Sequence, residues 1–256
     1  MMKKSHAWIE RAAALGFAAS VLLLWQLLAA TEFISPLFFP SPGRTLSELW
    51  AQASDGRLWA PLLASTQRMV LGWLVASLLG VVAGALIASS RTVHQLFNPL
   101  LEFLRPLPAA AVIPVAILAF GLSDRMSTAV IAFGSIWPVL LASVHGFSAV
   151  DERLHEVSRA LRMPMVARFW KVALPSALPD ILAGARVGLA VALILAVVTE
   201  MQASLPGIGQ NLLMAQRAFR TPELYAGVVV LGLLGFVASA LLTGIERRML
   251  RWRERP

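Results

Sequence analysis

Long apolar runs separated by shorter polar stretches make up most of this chain. Six stand out, at residues 12–30, 69–89, 97–120, 126–145, 181–198 and 225–245. Each is close to the roughly 20 residues that a helix rising about 1.5 Å per residue needs to cross about 30 Å of hydrocarbon. Backbone polar groups in lipid must be satisfied within their own segment, so these runs predict helices. The short alternating segments of a membrane β-barrel are not visible. The first run follows Lys3 and Lys4 but is longer than a secretion-signal core, and Leu28-Ala29-Ala30 lacks the small-x-small cleavage pattern, so it reads as a retained helix. The expectation is an all-α, polytopic membrane protein with about six transmembrane helices.

Between the runs, residues 31–67 form the longest loop. Pro36, Pro40, Pro42 and Gly43 keep its start extended or turning. Leu46-Ser-Glu-Leu-Trp50 then has the spacing of a short interfacial helix, with Trp50 and Trp59 at headgroup level. The third run is interrupted by Leu104-Arg105-Pro106-Leu107-Pro108 and by Ile113-Pro114. Proline removes a backbone donor, and in a membrane such breaks survive only where protein or water satisfies the freed carbonyls. Arg105, Pro106, Pro108 and Pro114 therefore mark a discontinuous helix lining a translocation path. Two readings stand for Glu102 and Arg105: an interfacial charge pair, or two charges in the headgroup zone before a span that starts at Leu107.

The fifth run ends at Glu200, followed by Leu205-Pro206-Gly207-Ile208-Gly209. Glu200 reads either as a gating or structural residue bonded to the turn of the two glycines, or as a capped interfacial carboxylate. Gly207 and Gly209 permit positive φ and close backbone approach, as a tight turn before a short helix over 210–219 requires. No strand precedes this Gly-x-Gly, so it does not read as a nucleotide site.

Composition agrees with the pattern. Of 256 residues, 58% are hydrophobic and 14% charged, too little polar surface to cover a globule in water. Basic residues concentrate at Lys3, Lys4 and Arg11, at Arg91, at Arg153, Arg159, Arg162, Arg168 and Lys171, and at Arg247, Arg248, Arg251, Arg253 and Arg255. The opposite side carries Arg44, Arg57, Arg125, Arg217 and Arg220. By the positive-inside rule this orients the chain with both termini in the cytoplasm. The net charge of +8 then reflects topology and attraction to anionic lipid, not nucleic acid. With no cysteine, there is no disulfide framework or thiolate metal site. One domain, 1–256, accounts for the whole: a first helix and outer loop (1–66) and a five-helix core (67–250) that includes a basic inside loop (148–180).

Enzyme chemistry finds little support. Gly134-Ser135 lacks the Gly-x-Ser-x-Gly elbow. His155-Glu156 begins like a zinc motif, but the second histidine's place is taken by Arg159, and His6, His94 and His145 fall near helix ends or loops. No Gly-x-x-x-x-Gly-Lys-Ser/Thr segment is present, so energy from ATP must come from a partner. An ion-coupled secondary transporter or channel is the rival class. It calls for mid-span carboxylates or inverted repeats, whereas the central stretches 107–120 and 181–198 carry only Arg186, near an end. Arg186 reads either as a counter-charge for an anion or as a side chain snorkelling to the interface.

Glu156-Val157-Ser158, then Arg162, then Val172-Ala173-Leu174-Pro175 resembles the cytoplasmic coupling loop of ABC importer permeases, Glu-Ala-Ala…Gly…Ile-x-Leu-Pro, with arginine where that family has glycine. Pro40-Ser-Pro42, Leu104-Arg-Pro-Leu-Pro-Ala109, Phe120-Gly121, Leu174-Pro-Ser-Ala-Leu-Pro179, Gly184-Ala-Arg-Val187, Glu200-Met201 and Gly207-Ile-Gly209 extend the likeness to the nitrate, sulfonate and taurine group. The resemblance implies a type I importer permease of the bacterial inner membrane, multi-pass and paired as a homodimer. It implies a path for a small sulfonate-, taurine- or nitrate-like anion delivered by an extracytoplasmic binding protein. It also implies cytoplasmic ATPase subunits that bind ATP and Mg, with no cofactor in this chain. Leu154, Val157 and Leu161 give the loop an apolar helical stripe for docking. Glu156 would anchor the ATPase or the loop backbone, with Ser158 beside it. Ala160, Leu161, Arg162, Met163 and Pro164 would form the contact tip. Residues 165–171 would form a second short helix presenting Phe169 and Trp170. Leu174, Pro175 and Pro179 would close the loop and aim the fifth helix. Arg162 poses a choice: a turn built differently with the help of Pro164, or a charge contact to an acidic ATPase surface.

Overall fold

In the computed structural model, residues 2–31, 35 and 37–252 are described. Pro36, Arg253 and Arg255 lie outside them, as do the side chains of Lys3, Lys4, His6, Arg11, Arg91 and His155. Among the described residues every regular element is helical: α1 (Met2–Ala30), α2 (Pro42–Ser54), α3 (Trp59–Ala88), α4 (Arg91–Leu104), α5 (Ile113–Phe120), α6 (Asp124–Ser148), α7 (Glu152–Ala160), α8 (Met165–Arg168), α9 (Leu174–Ala203), α10 (Ile208–Arg217) and α11 (Thr221–Met249). A 3-10 turn (Ala109–Val112) leads into α5, and a π turn (Phe169–Ala173) joins α8 to α9.

Among the described residues four helices are long and apolar enough to cross a membrane: α3, α6, the continuous Met165–Ala203 segment and α11. Thr92–Leu104 and Ala109–Phe120 add a fifth span if that pair, bent by 83°, counts as one. The first expected span is helical, lying within α1.

The chain forms two compact units, Met1–Ala60 with Asn211–Leu231, and Pro61–Gln210 with Gly232–Pro256. In the first, Ser41 caps α2 by accepting from the Arg44 N–H, and Pro42 enters at the first turn, where a missing donor costs nothing. The helix runs well beyond the expected 46–50. Trp25 Nε1 donates to the Pro40 carbonyl at 3.1 Å, and its ring lies against Phe39 and Tyr225.

The second unit is built on α6 and α9, an antiparallel pair. Lipid offers no hydrophobic drive for helix association, so close packing of small residues supplies it. A Cβ on Gly184 of α9 would stand 2.6 Å from the Pro138 carbonyl of α6. On the opposite side, a Cβ on Gly84 of α3 would stand 2.5 Å from Ser143 Cβ. Met69, Ile131, Leu189, Ala192, Leu195 and Leu242 close the core between α3, α6, α9 and α11. Trp73 Nε1 adds a bond from α3 to the Ala185 carbonyl of α9 at 2.8 Å.

Candidate functional site

The C-terminal end of α9 carries Glu200 into a fully buried position. Its carboxylate is satisfied on both oxygens: Oε1 accepts from Arg68 Nη1 at 2.9 Å, and Oε2 accepts from Ser65 Oγ and from the Gly209 N–H, each at 2.9 Å. Ser65 Oγ in turn accepts from the Ile208 N–H at 2.9 Å. Arg68, itself buried, extends Nε to Asp124 Oδ1 at 2.6 Å and Nη1 to the Pro206 carbonyl at 2.6 Å. Asp124 is the first residue of α6, where a carboxylate also suits the helix N-terminus. One guanidinium thus ties α3 to α6, to α9 and to the turn before α10. Charge-assisted bonds of this kind are the strong ones, and a buried charge is tolerable only when so paired.

Gly207 and Gly209 serve this cluster by their lack of a side chain, not by the expected positive φ. The left-handed residue of the turn is Ser204, at φ 53°, and neither glycine is among the positive-φ residues. A Cβ on Gly207 would stand 2.2 Å from Glu200 Cδ, and one on Gly209 would stand 2.4 Å from the Val197 carbonyl. The short helix that follows, α10, begins two residues earlier than expected. The sequence reading missed Arg68, which sits at the head of an apolar run. Its signal was Glu200 itself, since an acid in an apolar helix calls for a cation.

At the α4–α5 break, the chain turns at Arg105–Pro108. The Arg105 N–H still reaches the Leu101 carbonyl at 2.9 Å, and the Leu107 N–H reaches Leu104 at 3.2 Å. Pro106 has no N–H, and Pro108 is extended (ψ 114°), opening the 3-10 turn. Pro114 does not interrupt the helix; it lies in the first turn of α5, where the lost donor is unneeded. Glu102 accepts from Asn98 Nδ2 at 2.8 Å, and no Glu102–Arg105 ion pair exists among the described residues. Arg186 is engaged by Glu246 of α11 and so is not a free counter-charge.

At the other end of α6 and α9, Asp151 caps α7 by accepting from the Arg153 N–H at 2.9 Å. The helix closes in a Schellman motif: the Arg162 N–H bonds the Arg159 carbonyl at 2.9 Å and the Met163 N–H bonds Ser158 at 3.0 Å. Arg162 supplies the left-handed residue, at φ 49°, so the turn expected of a glycine is kept with an arginine in it. Ser158 is buried, whereas Glu156, Ala160, Leu161 and Pro164 are exposed and Met163 is half-buried. No bond from the Glu156 carboxylate to the loop backbone occurs among the described residues.

The second short helix does not stand apart. Four residues of α8 pass through the π turn into α9, giving one continuous segment. Pro175 has no N–H to offer the Lys171 carbonyl, and its ring would clash there in a regular helix. The wider turn, with the Leu174 N–H on the Phe169 carbonyl, absorbs this. Leu174 and Pro175, both half-buried, therefore lie within a helix and do not end a loop. Phe169 stacks on Phe147 at 5.8 Å, while Trp170 stays exposed.

Residues 76–251 match the family of binding-protein-dependent transport system inner membrane components. The chain belongs to that family. The permease is 30% identical over 98% of its length to a Bacillus subtilis (strain 168) protein named for aliphatic sulfonates transport, SsuC, covering 90% of that protein. It is 30% identical to the taurine transport system permease protein TauC of Escherichia coli (strain K12), over 93% of this chain and 88% of that one. To the nitrate import permease protein NrtB of Leptolyngbya laminosa it is 28% identical, over 94% and 89%. In fold it matches a chain of the inward-facing MetNI methionine ABC transporter with a TM-score of 0.65 at 16% identity, covering 75% of this chain and 95% of that one. A chain of an amino acid ABC transporter solved with histidines matches at 0.60 and 18% identity, over 78% and 98%. The matched family region takes in the α4–α5 break, Asp124, the loop around α7 and Glu200, but begins after Ser65 and Arg68.

Proposed function

We propose that this permease pairs with a second copy of itself in an ATP-driven importer of the bacterial cytoplasmic membrane, with both termini inside. A loaded extracytoplasmic binding protein delivers the solute, and separate cytoplasmic ATPase subunits, which bind ATP and Mg, drive the cycle. The observation that carries this reading is the exposed apolar surface of the loop around α7: Leu154, Val157, Leu161, Met165, Val166 and Trp170 all face outward. On a loop held between a cap and a Schellman turn, such a surface suits a protein partner. Glu156 is its polar anchor, beside buried Ser158, and Ala160, Leu161, Arg162, Met163 and Pro164 are its tip. Leu174 and Pro175 pass its movement into α9, because α8, the π turn and α9 form one segment.

The far end of α9 is Glu200, so the same helix joins the loop to the clamp of Glu200, Gly207 and Gly209, which we assign to the outer gate. Arg105, Pro106, Pro108 and Pro114 line the path. The relatives named for sulfonates, taurine and nitrate support a small oxyanion-bearing solute of that kind.

The test is co-purification of the tagged chain with a candidate ABC ATPase from the same organism, followed by uptake in proteoliposomes carrying the binding protein. A stable complex whose uptake needs ATP, and which is lost or uncoupled by Glu156→Ala, is the expected result. A chain that purifies alone and moves solute down an ion gradient without ATP would be a secondary transporter instead.

A further inference from the structure

Two arginines within the apolar helices are neutralised within the chain: Arg68 by Glu200 and Asp124, and Arg186 by Glu246. Arg105 has no ion pair among the described residues, and it is exposed, together with Pro106, Leu107 and Pro108. Its depth follows from the helix after it. The 3-10 turn and α5 hold 4 and 8 residues and end at Gly121, three residues before Asp124 of the clamp. Set along the membrane normal, they would rise about 20 Å, two-thirds of a hydrocarbon core of about 30 Å. Any part of Gly121–Asp124 that stands outside the core draws the α4–α5 break deeper into it. An unpaired cation at that depth faces a water-filled cavity or the bundle interior, not lipid.

We propose that Arg105 is the counter-charge that a permeating anion meets at the helix break, and so a determinant of the permease's preference for anions; this rests on the small-oxyanion reading of the substrate. A discontinuous helix suits that task. It brings a guanidinium and unwound backbone to one point of the path while the flanking helices stay satisfied. The planar fork of arginine matches a sulfonate or nitrate oxygen pair, and a single cation binds such an anion without trapping it. Pairing to Glu102 would abolish this function; the carboxylate is turned to Asn98 instead.

The chain has no cysteine, which makes a charge-replacement test clean on its side. Arg105→Cys would be assembled with its ATPase and binding protein in proteoliposomes, with the wild-type complex controlling for cysteines elsewhere. Anion uptake is expected to fall about tenfold or more, the worth of one charged hydrogen bond, while ATPase stimulation by the loaded binding protein persists. Modification with a cationic aminoethyl methanethiosulfonate should restore uptake, neutral methyl methanethiosulfonate should not, and substrate should slow both reactions. Wild-type uptake by Arg105→Cys, or equal rescue by both reagents, would overturn the proposal. So would loss of ATPase stimulation in both Arg105→Cys and Arg105→Lys, which would make the residue structural. If the wild-type complex itself imports a neutral or cationic solute and no such anion, the substrate reading fails and the role of Arg105 falls with it, whatever the variants do.

Discussion

Arg68 Nη1 donates to Glu200 Oε1 at 2.9 Å across 132 residues of chain. Around this bond both side chains have further partners: Asp124 and the Pro206 carbonyl on the arginine, Ser65 and the Gly209 amide on the carboxylate. The partners come from five places, namely α3, the start of α6, the end of α9, the turn before α10 and the first turn of α10 itself. The cluster therefore holds one end of the second unit as a single body.

Removing one member should reveal its worth. Glu200→Ala leaves a buried guanidinium facing Asp124 alone, and a broken buried pair costs about 3–5 kcal/mol. Asp124 is largely exposed, with 74% of its side chain accessible, so Asp124→Ala should cost at most about 1 kcal/mol. The double variant Arg68→Met with Glu200→Leu should recover much of the loss, since apolar replacements leave no unpaired charge. Thermal unfolding of the detergent-solubilised chain would read all of these. Equal melting of Glu200→Ala and wild type would deny the clamp a stabilising role.

Gly207→Ala and Gly209→Ala test the same site by crowding. The new methyl on Gly207 meets the Glu200 carboxylate and that on Gly209 meets a backbone carbonyl, which cannot swing away. Overpacking of this kind costs about 1–3 kcal/mol. Gly209→Ala should be the worse of the two, and a melting temperature unchanged in both would show that the turn moves freely.

Much of this was legible beforehand. Length and hydropathy alone mark α3, α6 and α11, because lipid forces each span to satisfy its own backbone. The start of α9 was not legible, because Pro175 and Pro179 read as helix ends, whereas a π turn carries the helix through Pro175. Arg68 was hidden for a different reason: local pattern says nothing of a partner 132 residues away. For Gly207 and Gly209 the residue type was informative but its use was not, since a need for space and a need for positive φ leave the same mark in sequence.

Arg162 holds a left-handed conformation that costs a non-glycine residue about 1–2 kcal/mol. Its backbone role in the Schellman turn accounts for its position without a charge contact. Arg162→Gly should therefore stabilise the chain slightly and leave ATPase stimulation in the assembled complex at or above the wild-type level. A marked drop in stimulation with folding intact would instead reveal a charge contact to the ATPase.

Leu161 offers the sharpest test of the loop as a docking surface. It is 69% exposed at the C-cap of α7, one residue before the left-handed turn, so its side chain adds little to the chain's own packing. Leu161→Asp should leave melting of the isolated permease within about 0.5 kcal/mol of wild type, as expected for a surface change. Against a partner it buries a charge where an apolar group sat, at a cost of several kcal/mol unless paired. Co-purification with the ATPase should fall sharply, while Ser176→Asp, exposed on the first turn of α9, should retain it. If the two aspartates behave alike, the apolar tip is not the contact, and Glu156 with its polar neighbours would have to carry the interface.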